Sequence, residues 1–190
     1  MSEKGVKIIE EKLSQALVYK DQGNELYKAK DYKKAMRKYH NAILYMKGID
    51  NDLHGKPAFL QFASVDPNSD KKIPENLEDE CIKANVSIYN NLAACILANN
   101  KDKNAVEDHE KVVKYTEIVL ELEGTNDKAL YRKGQALKSL KRFHEAKETF
   151  EFLLKLGKAP KDVANHIKDC NEALKEFKQK ESSMYQNMFK

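Results

Sequence analysis

The feature that most constrains the fold is a helix-spaced pattern of apolar residues across the stretch 19–42. Apolar residues recur every three or four positions before a turn at Lys30 and Asp31, and they do so again after it. This spacing predicts two short antiparallel helices. Gly23 lies inside the first of them, where a glycine costs about 1 kcal/mol relative to alanine. A glycine there, paired with the small Ala35, predicts that the two helices approach each other closely.

The same pattern returns twice along the chain. Ala93 takes the place of Gly23 in a second, longer copy, and Gly134 takes it in a third, where RFHEAKETF matches DYKKAMRKY. Helix pairs that recur with a period of about 34 residues are typical of the tetratricopeptide repeat (TPR), and three stacked copies can bury a continuous core. We therefore predict an all-α fold of three TPR helix pairs in a right-handed superhelix.

These repeats divide a single domain, 1–190, into five segments. We place repeat one at 16–49, a long loop at 50–76, repeat two at 77–126, repeat three at 127–160 and a C-terminal capping helix at 161–190. The loop is predicted from its prolines and turn residues, and a loop of this length is either disordered or functional. The last helix is expected to cover the exposed face of repeat three, as open repeat arrays require.

The end of the chain carries an apolar patch that the repeat pattern does not explain. Its members are Met184, Tyr185, Met188 and Phe189. One interpretation is a fraying helix end that packs locally, and the other is a docking tip for a partner.

Composition and motifs exclude several functions. The formal charge of +4 comes from 34 basic and 30 acidic residues, a balance that argues against a nucleic-acid binder. No apolar run is long enough to span a membrane, and no secretory signal is visible. The three cysteines have no ligand-like spacing, and Cys95, among small apolar residues, is expected in the core. Phosphate-binding loops, nucleophile elbows and metal-spaced histidines are absent from the sequence, which predicts no cofactor, no metal and no enzyme activity. We expect a cytoplasmic monomer.

One constellation of polar residues stands out on the opposite stripe of the first helices, away from the core. Three cations and two carboxamides fall there if each helix turns about 100° per residue. They are Lys20, Asn24, Asn91, Lys128 and Arg132. Exposed lysines taken singly mean little, but asparagine is a mediocre helix former and is harder to dismiss in mid-helix. Together these groups suit the recognition of carboxylates.

These five residues resemble, position by position, the carboxylate clamp of TPR co-chaperones, and we call them the clamp residues. Such domains grip the C-terminal Glu-Glu-Val-Asp of the cytosolic heat-shock proteins 90 and 70. The resemblance implies that Lys20, Asn24, Asn91 and Lys128 hold the terminal carboxylates, and that Lys128 and Arg132 reach groups further upstream. Over most of its length the chain is similar to the tetratricopeptide repeat protein 9 family, in YKDQGNELY, RKYHNAILYMKGID, YNNLAAC, KALYRKGQAL and MYQNMF.

The ending also resembles the tails of the large immunophilins, but the chain lacks a strand-rich stretch that could form a prolyl isomerase domain. The sequence therefore predicts a non-enzymatic adaptor for a chaperone tail. The alternative is a general TPR scaffold that binds another peptide or protein without using the clamp residues.

Overall fold

The computed structural model describes residues 3–54, 74–99, 106–157 and 159–188. Seven helices account for most of these residues: α1 (Glu3–Lys28), α2 (Tyr32–His54), α3 (Glu75–Asn99), α4 (Val106–Leu122), α5 (Asp127–Ser139), α6 (Phe143–Lys155) and α7 (Val163–Met188). No β-strand occurs within those ranges. The all-α prediction is confirmed.

The helices pack as consecutive antiparallel pairs in two layers. α1 packs on α2, α3 on α4 and α5 on α6, and each pair contacts the next through α2–α3 and α4–α5. α1 also contacts α3, and α3 contacts α5. The first helix of each pair therefore lies beside the next first helix, so α1, α3 and α5 form one continuous wall. This wall carries all five clamp residues.

The close approach predicted at Gly23 is present, and it recurs at Gly134. A Cβ added to Gly23 would lie 2.6 Å from Cε1 of Tyr39, and one added to Gly134 would lie 2.5 Å from Cε1 of Phe150. Both rings are almost completely buried. In each pair, an aromatic ring from the second helix therefore packs directly on the glycine backbone of the first.

The first and third pairs also turn in the same way. Lys30 and Lys141 adopt left-handed φ angles of 61° and 60° at the ends of α1 and α5. The next residue then donates its backbone N–H to a carbonyl in the last helical turn, over 2.9 Å in both cases (Asp31 to Leu26, for example). The turn predicted at Lys30 and Asp31 is confirmed.

The first helix pair is longer than the predicted repeat. Ile9 near the start of α1 and Ile49 in α2 are both 1% exposed, and Lys12 Nζ donates to the carbonyl of Gly48 over 3.0 Å. This packing continues both helices, so residues 50–54, which the sequence analysis assigned to the loop, belong to α2. Residues 55–73 of that loop lie outside the described residues, and its last two, 75 and 76, belong to α3.

The last helix covers α6, against which it packs. Val163 and Cys170 are fully buried in this contact, whereas Phe177, on the same apolar stripe, is 67% exposed. The reason is length, because α7 has 26 residues and α6 has 13. The second half of α7 therefore extends beyond the helix it caps.

Candidate functional site

A groove runs along the wall formed by α1, α3 and α5. It consists of two adjoining cavities of about 740 and 410 Å³ that share Tyr27, Ala94 and Arg132 in their linings. The larger cavity is also lined by Asn24 and Asn91, and the smaller one by Lys128. The structure therefore brings four of the five clamp residues to one continuous groove.

The two carboxamides contact each other directly although they lie 67 positions apart in the chain. Asn91 Nδ2 donates to Asn24 Oδ1 over 2.9 Å, and the hydroxyl of Tyr39 donates to the same oxygen over 2.8 Å. Two donors thus occupy the carbonyl oxygen of Asn24, and the remaining polar group of this side chain, Nδ2, is a hydrogen-bond donor. An amide held in this way suits an anionic or carbonyl ligand.

Arg132 is held from behind by a second amide network. Its Nη1 donates to Asn90 Oδ1 over 2.9 Å, and Asn90 Nδ2 donates to Asn126 Oδ1 over 3.1 Å. Asn126 is the N-cap of α5, where the same oxygen accepts from the backbone N–H of Ala129 over 2.9 Å. The guanidinium of Arg132 is therefore tied to α3 and to the start of its own helix.

Burial does not remove the charge of Arg132. Desolvation lowers the pKa of its guanidinium, but an arginine side chain cannot be deprotonated in proteins near neutral pH. A charged fork fixed at a half-buried position loses little conformational freedom when it binds a carboxylate. This makes Arg132 the most strongly preorganised cation of the groove.

Lys20 and Lys128 are less constrained. Lys128 is exposed in the smaller cavity. Lys20 is connected to the groove through Asp21, since Lys20 Nζ lies 3.4 Å from Asp21 Oδ1. Asn24 Nδ2 donates to the same carboxylate oxygen over 3.3 Å. A carboxylate of the protein itself thus lies against two of the clamp residues.

Apolar surface completes the groove. Val18, 46% exposed, and Tyr27, 37% exposed, line the larger cavity together with Ala94. Exposed apolar side chains beside fixed polar donors are typical of peptide-binding sites, in which the donors orient the ligand and the apolar groups bury its side chains.

Several of these residues were not predicted from the sequence. Tyr39 was assigned to the packing stripe, whereas its hydroxyl reaches through the helix pair to Asn24. Asp21 and Asn90 were not singled out at all. The signal that could have found Asn90 is its polar type next to Asn91 on a helix whose neighbouring residues are small and apolar.

The apolar patch at the end of the chain is separate from the groove. Met184 and Tyr185 on α7 are 67% and 58% exposed. The side chain of Met188, and Phe189, lie outside the described residues. Exposure of the first two agrees with both interpretations given above.

The described part of the chain offers little reactive chemistry elsewhere. It holds no group of three metal-ligating side chains. The three cysteines are buried, and burial raises the pKa of the Cys95 thiol to about 12. Among the described helices, none combines the length and the apolar character that a bilayer crossing demands.

Solved structures with this arrangement of helices are TPR domains. The C-terminal TPR-containing domain of a Plasmodium falciparum FK506-binding protein superposes with a TM-score of 0.69 at 25% identity, and the match covers 90% of this chain and 95% of that one. The first TPR of Spaghetti (RPAP3), bound to the HSP90 peptide SRMEEVD, superposes with a TM-score of 0.55 at 20% identity, over 85% and 94% of the two chains. The helix pairs and their groove thus define this protein as a TPR domain.

Sequence comparison then gives the family. Tetratricopeptide repeat protein 9C of Xenopus tropicalis is 30% identical over 184 residues, which cover 95% of this chain and 96% of that protein. The chain belongs to the tetratricopeptide repeat protein 9 family. FK506-binding protein 59 of Drosophila melanogaster is 28% identical over 180 residues, but these are 95% of this chain and 34% of that protein, so the chain spans about a third of this relative. No family model matches the chain.

Proposed function

We propose that this protein is a non-enzymatic adaptor that binds the C-terminal Glu-Glu-Val-Asp tail of heat-shock protein 90, heat-shock protein 70 or both. The observation that carries the proposal is the groove wall on which Asn24, Asn91 and Arg132 lie together, fixed by hydrogen bonds to Tyr39, to one another and to Asn90. A solved TPR neighbour bound to an HSP90 peptide supports the partner class. Because these chaperones are cytosolic, the adaptor would act there, as a monomer.

The five clamp residues would contact different parts of the peptide. Lys20, Asn24, Asn91 and Lys128 bind the carboxylates at the end of the peptide, and Lys128 and Arg132 bind groups upstream of it. Arginine provides a planar fork for bidentate pairing, and lysine provides a point charge. The exposed apolar surface around Val18 and Tyr27 would bury the valine side chain of the tail.

These contacts set the size of the expected effects. A hydrogen bond to a charged group contributes about 1.5–3 kcal/mol, so the loss of one should weaken binding roughly tenfold or more. Surface charges are screened by salt, and Lys128 is exposed. We therefore expect binding to weaken as ionic strength rises.

Fluorescence polarisation with a labelled peptide ending in Glu-Glu-Val-Asp tests the proposal. The peptide is prepared as a free acid and as a C-terminal amide, and both are titrated with the wild type and with Lys128→Ala and Arg132→Ala. We expect micromolar binding of the acid, much weaker binding of the amide, about tenfold weaker binding in Lys128→Ala and a larger loss in Arg132→Ala.

Controls separate binding from folding. Lys114→Ala and Arg37→Ala remove exposed cations outside the groove and should bind like the wild type. Arg132→Ala leaves the buried Asn90 without its donor, so its circular dichroism spectrum and melting temperature must be recorded, whereas Lys128→Ala should fold normally. Equal binding of acid and amide, or no binding of either, would overturn the proposal and favour a TPR scaffold that does not use the clamp residues.

A further inference from the structure

The larger cavity has a feature that the clamp residues alone do not explain. Tyr39, which lies on α2 behind the wall, is 1% exposed, yet its hydroxyl reaches Asn24 Oδ1 over 2.8 Å. Asn91 Nδ2 donates to the same oxygen over 2.9 Å from the neighbouring helix α3. A carbonyl oxygen has two lone pairs, so these two donors satisfy it completely. The Asn24 amide is thereby fixed with Nδ2 directed away from both donors.

The chain contains its own comparison for the hydroxyl of Tyr39. Phe150 occupies the equivalent position in the third helix pair and packs on Gly134 at 2.5 Å from an added Cβ, as Tyr39 packs on Gly23 at 2.6 Å. Packing on the glycine therefore does not require a hydroxyl, since the phenylalanine ring of Phe150 fills the same position. The third pair carries Gln135 where the first carries Asn24, and the hydroxyl is found in the pair that holds Asn24.

We propose that Tyr39 is a positioning residue of the groove, whose hydroxyl holds Asn24 so that its Nδ2 is presented to a carboxylate of the ligand. This inference rests on the proposed function. It is supported by the present partner of Nδ2, which is a carboxylate oxygen of Asp21 at 3.3 Å. Burial raises the pKa of the Tyr39 phenol, so the hydroxyl remains a donor across the neutral range.

Fixing a donor before the ligand arrives lowers the entropy that binding must overcome. Without the hydroxyl, the carbonyl oxygen of Asn24 keeps one of its two donors, Asn91 Nδ2, and the amide is held less firmly. We expect Tyr39→Phe to weaken the binding of the free-acid peptide about five- to tenfold. The melting temperature should fall by no more than a few degrees, since a phenylalanine ring packs in the same way in the third pair.

A double-mutant cycle distinguishes positioning from a general structural effect. Peptide affinity is measured for the wild type, Tyr39→Phe, Asn24→Ala and the double variant, by the fluorescence assay described above. If Tyr39 acts through Asn24, Tyr39→Phe has no further effect once Asn24 is alanine. If it acts by loosening the fold, the same factor is lost in both backgrounds, and the inference is overturned.

The control is Tyr115→Phe, which removes a hydroxyl that lies 3.5 Å from His40 Nε2, between α4 and α2 and away from the groove. It should leave peptide affinity unchanged. If the wild type and Tyr39→Phe bind the free-acid peptide with the same affinity, the role of Tyr39 is refuted and the proposed function stands. Failure of the wild type to bind the free acid would instead refute both.

Discussion

Replacing Gly134 by alanine should destabilise the protein, although alanine is the better helix former. An added Cβ would lie 2.5 Å from both Cε1 and Cζ of Phe150, where ordinary contacts begin at 3.4 Å, so the ring must move by about 0.9 Å. Phe150 cannot move easily, because it is fully buried and stacks on the ring of His166 with 5.0 Å between centroids. Relief of the overlap therefore requires a shift of α7.

The net effect follows from two opposing magnitudes. Overpacking a core costs about 1–3 kcal/mol, and the rigid ring at this site argues for the upper end. The change from glycine to alanine in a helix returns about 1 kcal/mol. The variant should lose about 2 kcal/mol, which corresponds to a fall in melting temperature of roughly 4–8 °C for a chain of this size.

Thermal and urea unfolding followed by circular dichroism would measure this loss. Gly124→Ala is the matched control, because its added Cβ would lie 3.6 Å from the nearest atom, the carbonyl oxygen of Leu120. Its melting temperature should equal that of the wild type or exceed it slightly. Combining Gly134→Ala with Phe150→Leu should cost less than the sum of the single changes, since the smaller side chain relieves the overlap. If Gly134→Ala melts at or above the wild-type temperature, the close-packing argument is wrong.

Other predictions concern charge, thiols and pH. Asp21→Asn removes a carboxylate that competes with the ligand for two of the clamp residues, so the affinity for the free-acid peptide should rise about two- to fivefold in the polarisation assay, and an unchanged or lower affinity would contradict this. Cys95 and the other two cysteines should react with a thiol reagent only at the rate of unfolding, because all three are buried; rapid labelling of the native protein would show that the core is more open. The hydroxyl of Tyr131 donates to Asp162 Oδ2 over 2.5 Å, and this bond lowers the pKa of the Asp162 carboxyl. This hydrogen bond should stabilise the fold at pH values above the ordinary carboxyl pKa. The stabilisation should be lost as pH falls through the lowered pKa of Asp162. The wild type should therefore exceed Asp162→Ala in stability by roughly 0.5 kcal/mol at pH 7 and by nothing near pH 2, as measured by urea unfolding at both pH values.

The polar and charged groups of the groove limit which ligands can bind there. Its fixed groups are the Asn24 amide, held by Tyr39 and Asn91, and the Arg132 guanidinium, held by Asn90, whereas Lys128 is exposed. We expect a ligand with a free terminal carboxylate to use both kinds of group. An internal peptide segment has no terminal carboxylate to offer these groups, which is why the comparison of acid and amide is the decisive measurement.

The sequence alone was sufficient to predict an all-α fold of paired helices and the wall on which the clamp residues lie, but it assigned residues 50–54 of α2 to the loop. The two correct predictions follow from local periodicity, because a residue's position along a helix decides which face it occupies. Gly23 marked a close approach, since a glycine inside a helix needs a packing explanation.

The tertiary structure alone decided how the site is assembled. The bond from Asn91 to Asn24 and the bond from Arg132 to Asn90 join side chains on different helices, and no periodicity within one helix predicts the distance between two side chains on separate ones. The hydroxyl of Tyr39 reaches Asn24 only because α2 lies close enough to α1 for its ring to touch Gly23. The length of the first helix pair likewise follows long-range packing, in which Ile9 of α1 and Ile49 of α2 are buried and Lys12 Nζ donates to the carbonyl of Gly48. Local sequence thus determined which groups face the groove, and packing between helices determined which of them are held ready to bind.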